Sequence, residues 1–183
     1  MNSSPAIASR AKRAIGAMFF TVFGGAWIAL WARFTLDAPL AAYALVALLT
    51  GGLLTYVYRV YTFNRPALLA EPASPADARR SRLFHLVNAG QWVLIVIVSN
   101  VLVNLGHPEW AIPAAMFVIG AHFIPLARLF SYAPHFVTAA ALTVVALLSP
   151  ALQAWSGAGP IGDLIAGLIL WVSALYAVAW SRT

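Results

Sequence analysis

Apolar residues run almost unbroken through six windows, and the polar residues collect between them. The windows are Ala14 to Arg33, Leu40 to Phe63, Leu83 to Leu105, Trp110 to Phe130, Pro134 to Trp155 and Ile161 to Trp180. A helix needs about 20 mostly apolar residues to cross a hydrocarbon core roughly 30 Å thick, and each window is about that long. The pattern therefore predicts an all-α polytopic membrane protein with six transmembrane helices forming one membrane domain. Residues 1–13 are expected to be a tail, disordered over Met1 to Ser9, and 14–63 the first two spans. Residues 64–82 are expected to be a loop, and 83–183 the last four spans. Arg10, Lys12 and Arg13 precede the first window as they would in a signal peptide. Its apolar core, however, runs from Ala14 to Ala32 without a convincing small-residue cleavage site, longer than the roughly 7–15 residues of a signal sequence, so a retained helix is expected.

Composition strengthens that expectation. Of 183 residues 62% are hydrophobic and 9% charged, against roughly 25% charged in a soluble domain, and the mean hydropathy is +0.85. Cysteine is absent, which excludes disulfides, thiol nucleophiles and zinc-thiolate sites. The net charge of +6 does not point to nucleic acid, because the basic residues fall at span ends and form no patch interleaved with aromatics. With six spans, all of the 11 Lys and Arg except Arg33 fall on one side. The excess of basic residues marks the cytoplasmic face, so both termini are expected there. The segment Asn64 to Ser81, NRPALLAEPASPADARRS, reads as a solvated linker that anchors helix ends at anionic headgroups.

The two halves of the chain resemble each other. Val22 to Phe34, VFGGAWIALWARF, lies over Val118 to Phe130, VIGAHFIPLARLF. Val46 to Leu53, VALLTGGL, lies over Val145 to Leu152, VALLSPAL, and Trp92 corresponds to Trp171. Three spans per half is an odd number, so such halves insert with opposite orientation, the inverted three-plus-three repeat found in many transporters.

Polar residues inside the spans are few. A charged side chain near the centre of a membrane helix costs about 2.5–3.5 kcal/mol on insertion scales, so an ionisable group there needs a partner or a role. The third window carries His85, Asn88, Gln91, Ser99, Asn100 and Asn104. At 100° per residue His85, Asn88, Trp92 and Ser99 share one face, with Asn100 and Asn104 on its flank. In GAHFIPLARLF, Gly120 to Phe130, Pro125 withdraws the amide that would bond the carbonyl of Ala121, and His122 lies beside that freed group. Arg128 falls at the headgroups, where its side chain can reach water. At 1.5 Å per residue His122 lies about 12 Å and Asn88 about 8 Å from the cytoplasmic end, with His85 and His135 near that boundary.

His122, His85, Asn88 and Gln91 are thus the candidates for an inward-facing cavity or substrate site, with His135, Arg128, Asn100 and Asn104 as secondary candidates. The plainer alternative is interhelical hydrogen bonding, which contributes about 0.6–2 kcal/mol per bond in membranes. Depth also allows His85 and His135 to be considered as axial haem ligands, although no spacing pattern supports it. No HExxH, GxSxG, Walker or GxGxxG pattern occurs, so no catalytic residue, metal ligand or cofactor is expected, and the chain is expected not to be an enzyme. Asp163 is expected at the outer end, in the first turn of the sixth helix.

GAHFIPLARLF resembles a stretch of small uncharacterised bacterial inner-membrane proteins of the domain-of-unknown-function type. The resemblance covers about one helix and implies a bacterial inner (plasma) membrane location, with no activity attached. Together these features favour a small transporter or permease. A non-transporting accessory or scaffold subunit is the alternative, and a haem-binding or enzymatic membrane protein comes third. The expected partners are the lipid bilayer, a second copy in a homo-oligomer and a small-molecule or ion substrate, with no nucleic acid, and Gly24, Gly25, Gly51, Gly52 and Gly167 offer small surfaces for close helix packing.

Overall fold

The computed structural model describes residues 4–36, 39–72, 74–156 and 160–179. The described residues form six long helices: α1 (Ser4–Thr35), α2 (Pro39–Leu69), α3 (Pro75–Asn104), α4 (Ala111–Leu129), α5 (Pro134–Ser156) and α6 (Ile161–Ala179). A single 3₁₀ turn at Pro108–Trp110 precedes α4, and there is no strand among the described residues. All six helices are long and apolar enough to cross a membrane.

Helices reach well beyond the apolar windows. The tail expected at residues 1–13 is helical from Ser4 onward, and Ala8, Ala11, Ala14 and Ala17 are all 0% exposed. Alanines spaced by three form one buried stripe, and the charges of Arg10, Lys12 and Arg13 occupy the other faces. The linker expected at 64–82 shrinks in the same way, since α2 continues through Pro66 to Leu69 and α3 starts at Pro75. The reason is local. Ser74 caps α3 by accepting from the Asp77 amide at 3.2 Å and donating to its Oδ2 at 2.7 Å, and Pro75 occupies the first turn, where its missing N–H is not needed. Two of the three prolines in that segment therefore lie within helices.

Both the α3 and α4 C-termini close by the same backbone device. His107 N donates to Leu102 O at 2.9 Å around Gly106 at φ 82°, and Tyr132 N donates to Ala127 O at 2.9 Å around Ser131 at φ 50°. These are Schellman closures, which place one residue in the left-handed region.

The chain divides into two compact units, Met1–Ala73 with Asp163–Thr183, and Ser74–Gly162. In the first, α1 runs antiparallel to α6. Gly24 and Gly167 face each other, each so close to the other's carbonyl oxygen that an added Cβ would lie 2.9 and 2.7 Å from it. Beside them Trp171 Nε1 donates to Thr21 O at 3.0 Å, and Arg10 donates to Val178 O at 3.0 Å. On its other flank α1 meets α2, with Gly25 against Thr50 and Lys12 paired to Glu71 at 2.5 Å. The expected glycine surfaces are thus only partly used, since a Cβ on Gly51 or Gly52 would meet nothing within 4 Å.

In the second unit α4 is the central helix. Met116, Val118, Phe123, Leu126 and Ala127 are buried on it, while α3 contains no buried residue at all. The amides of α3 thus make it polar without making it buried. On the α5 side, a Cβ on Gly120 would lie 2.7 Å from Thr143 Oγ1 and 3.2 Å from Ala139 O, so this glycine permits a close helix contact.

Candidate functional site

The polar centre of the second unit is built on α4. His122 Nε2 lies 3.1 Å from Asn88 Oδ1 of α3, so the imidazole carries its proton on Nε2 when it donates to that oxygen. Pro125 lies inside α4 one turn further on. His122 therefore reaches across to a neighbouring helix, while its Nδ1 is buried without a hydrogen-bond partner.

Phe123 links this pair to α5. Its ring is 5.4 Å from the His122 ring at 63° and 5.7 Å from the His135 ring at 38°. Tyr132, in the turn between α4 and α5, meets His135 edge-on at 4.9 Å and 80°. An aromatic wall beside two half-buried imidazoles and one amide is a site that can hold or pass a proton and present one hydrogen-bond donor and one acceptor.

The remaining candidates are dispersed. His85 is exposed and stacks edge-on against Phe84, 5.6 Å away, which in turn meets Phe130, just past the end of α4, at 5.8 Å. Gln91 is half-buried on α3, and Arg128 is exposed in the last turn of α4. Asn100 donates back to Val96 O at 2.8 Å, satisfying itself within its own helix, and Asn104 is exposed at the end of α3. No group of three or more His, Asp or Glu side chains with metal-binding geometry occurs among the described residues.

Two residues carry more than their sequence context suggested. Tyr132, a turn residue outside both helices, packs on His135. Asp163 stands in the first turn of α6, as expected, but is only 2% exposed, and its Oδ2 is buried without a hydrogen-bond partner. The available signal was its spacing to Gly167 and Trp171, four and eight residues on, the stripe that faces α1.

Comparison with protein-family models, with curated proteins and with solved structures finds no match to this chain. The fold defines the class. This is an all-helical chain whose six long apolar helices are compatible with an integral, multi-pass membrane protein.

Proposed function

We propose that this chain is a small membrane permease whose substrate, a small molecule or ion, passes beside the His122–Asn88 pair, with His122 binding and releasing a proton during the cycle. The observation that carries this reading is the split state of the imidazole: Nε2 is engaged by Asn88 and Nδ1 is buried with no partner. A histidine that only packs is expected to have its buried nitrogens satisfied, because each unpaired buried group costs about 1–3 kcal/mol.

The helix grouping gives further support. Self-alignment pairs α1 with α4, α2 with α5 and α3 with α6. The compact units contain α1, α2 and α6 in one case and α4, α5 and α3 in the other. Each unit thus holds one helix of every kind, as an inverted repeat with exchanged third helices requires. Thr50 and Ser149, aligned in the repeat, both donate to the carbonyl four residues back, on the aligned Val46 and Val145, at 2.6 and 2.8 Å. Basic residues also share an end within each unit, where Lys12 meets Glu71 and where Arg79 and Arg80 lie beside Leu129. We take that end as cytoplasmic, in a bacterial inner membrane.

A scaffold subunit is the second reading, favoured by the directness of the Asn88–His122 bond, which is how polar residues hold membrane helices together. Thermal unfolding of detergent-purified wild type and His122→Ala between pH 5 and 8 separates the two. A permease loses its pH dependence in the variant with little loss of stability. A scaffold loses stability to a similar extent at every pH, and Asn88→Ala then does the same.

A further inference from the structure

We propose that the shallow cavity at the start of α3 binds the phosphate group of an anionic phospholipid. Its lining is Pro75, Ala76, Arg79, Arg80 and Leu83 of α3 with Leu129 from the end of α4, and its volume is about 410 Å³. That is within the size range of small-ligand sites.

The position follows from helix length. The 30 residues of α3 extend about 45 Å at 1.5 Å per residue, longer than a hydrocarbon core of roughly 30 Å. The apolar run of α3 starts at Leu83, so Arg79 and Arg80 stand about one turn beyond it, at headgroup level. Leu83 and Leu129 continue the wall inward toward the Phe84–Phe130 contact, where an acyl chain would lie.

The charge follows from what the two arginines do not do. Arg79 forms no ion pair among the described residues, and Arg80 has only Asp77, 3.5 Å away with both side chains about half exposed. An exposed pair of that kind is weak. Asp77 is moreover held by Ser74, which also takes up its amide, so the charge of the site comes from the guanidiniums and not from free amides of the helix end. Two guanidinium forks over an apolar floor match a phosphodiester carrying an acyl chain.

The test uses the full chain in phosphatidylcholine vesicles containing brominated phosphatidylglycerol, with quenching of tryptophan fluorescence as the readout. Binding at this cavity gives the wild type a preference for phosphatidylglycerol over brominated phosphatidylcholine that falls about fivefold per arginine removed in Arg79→Gln and Arg80→Gln. Arg59→Gln with Arg65→Gln, exposed on α2, lowers the preference less than either single α3 variant does. Equal losses in the α2 pair overturn the proposal in favour of diffuse attraction to the surface. Abolition of the preference by millimolar inorganic phosphate overturns it in favour of a free-phosphate site.

Discussion

Replacing Gly167 by alanine tests the crossing on which the α1–α2–α6 unit is built. The new methyl carbon would lie 2.5 Å from Ile28 Cγ1, 2.7 Å from Gly24 O and 3.1 Å from Ile28 N. Ile28 Cγ1 can rotate away, but the other two atoms belong to the α1 backbone, so relief requires the helix to move. A carbon–oxygen contact relaxes at roughly 3.3 Å, about 0.6 Å beyond the 2.7 Å available. Overpacking of this kind costs about 1–3 kcal/mol. Parting the helices also weakens the Trp171 Nε1 to Thr21 O bond, worth about 0.6 kcal/mol in a membrane bundle. Higher helix propensity of alanine returns up to about 1 kcal/mol. From the middle of these ranges the net loss is about 2 kcal/mol.

The measurement is equilibrium unfolding of the purified protein in mixed micelles, followed by tryptophan fluorescence. Gly51→Ala is the internal control, because nothing lies within 4 Å of its added Cβ. It is expected to be neutral or slightly stabilising. If Gly167→Ala is as stable as Gly51→Ala, α1 and α6 do not cross at these glycines, and the reasoning fails.

Other expectations follow from single contacts. Gly106→Ala puts a side chain in the left-handed region with open space around it, so it should lose about 1 kcal/mol, while Ser131→Gly at φ 50° should gain about as much, both read in the same unfolding assay. Lys12→Glu should lose about 0.2–1 kcal/mol, and the exchange Lys12→Glu with Glu71→Lys should restore it, since the pair is partly exposed; a double-mutant cycle without coupling would contradict the contact. Because the chain has no cysteine, single cysteines report sidedness cleanly. In intact cells an impermeant maleimide should label Glu109→Cys, whereas Ser74→Cys should react only after permeabilisation, and the opposite pattern would reverse the topology.

Hydrophobic windows located all six helices because desolvation is a property of composition, and composition is written in the chain. Helix ends were less legible. The window rule sees only what sits in hydrocarbon, and α1 and α3 continue past it on other grounds: a stripe of alanines at spacing three, and a serine cap followed by proline. Both signals were present in the sequence, masked by the arginines and prolines around them. In the site, His122 and Asn88 were legible as polar residues at similar depth, and the structure joins them. His85 shared the face of Asn88 but not its contact, because a shared face does not say which side chain reaches the neighbour, and Gln91 lies outside that face. The part of Tyr132 was not legible, since its contact with His135 depends on a Schellman turn closed by a serine.

Grouping of the helices was the least legible feature, and the physical reason lies in small residues. Self-alignment divides the chain into contiguous halves, α1 to α3 and α4 to α6, because sequence order is all it can compare. Compact packing divides it otherwise, because a helix joins whichever neighbour lets its backbone approach. Gly24 and Gly167 bring α6 to α1, and Gly120 seats α4 on α5. α3, which lacks a buried residue, is tied to α4 by Asn88 and Phe84 instead. An amide and a ring give a weaker attachment than interlocked glycines. Within its unit α3 is therefore held to α4 less firmly than α5 is, and it carries one half of the His122–Asn88 pair. On the permease proposal, proton binding at His122 is coupled to movement of α3 against α4, and Asn88→Ala should loosen α3 without unfolding the α4–α5 hairpin, visible as faster amide exchange confined to α3.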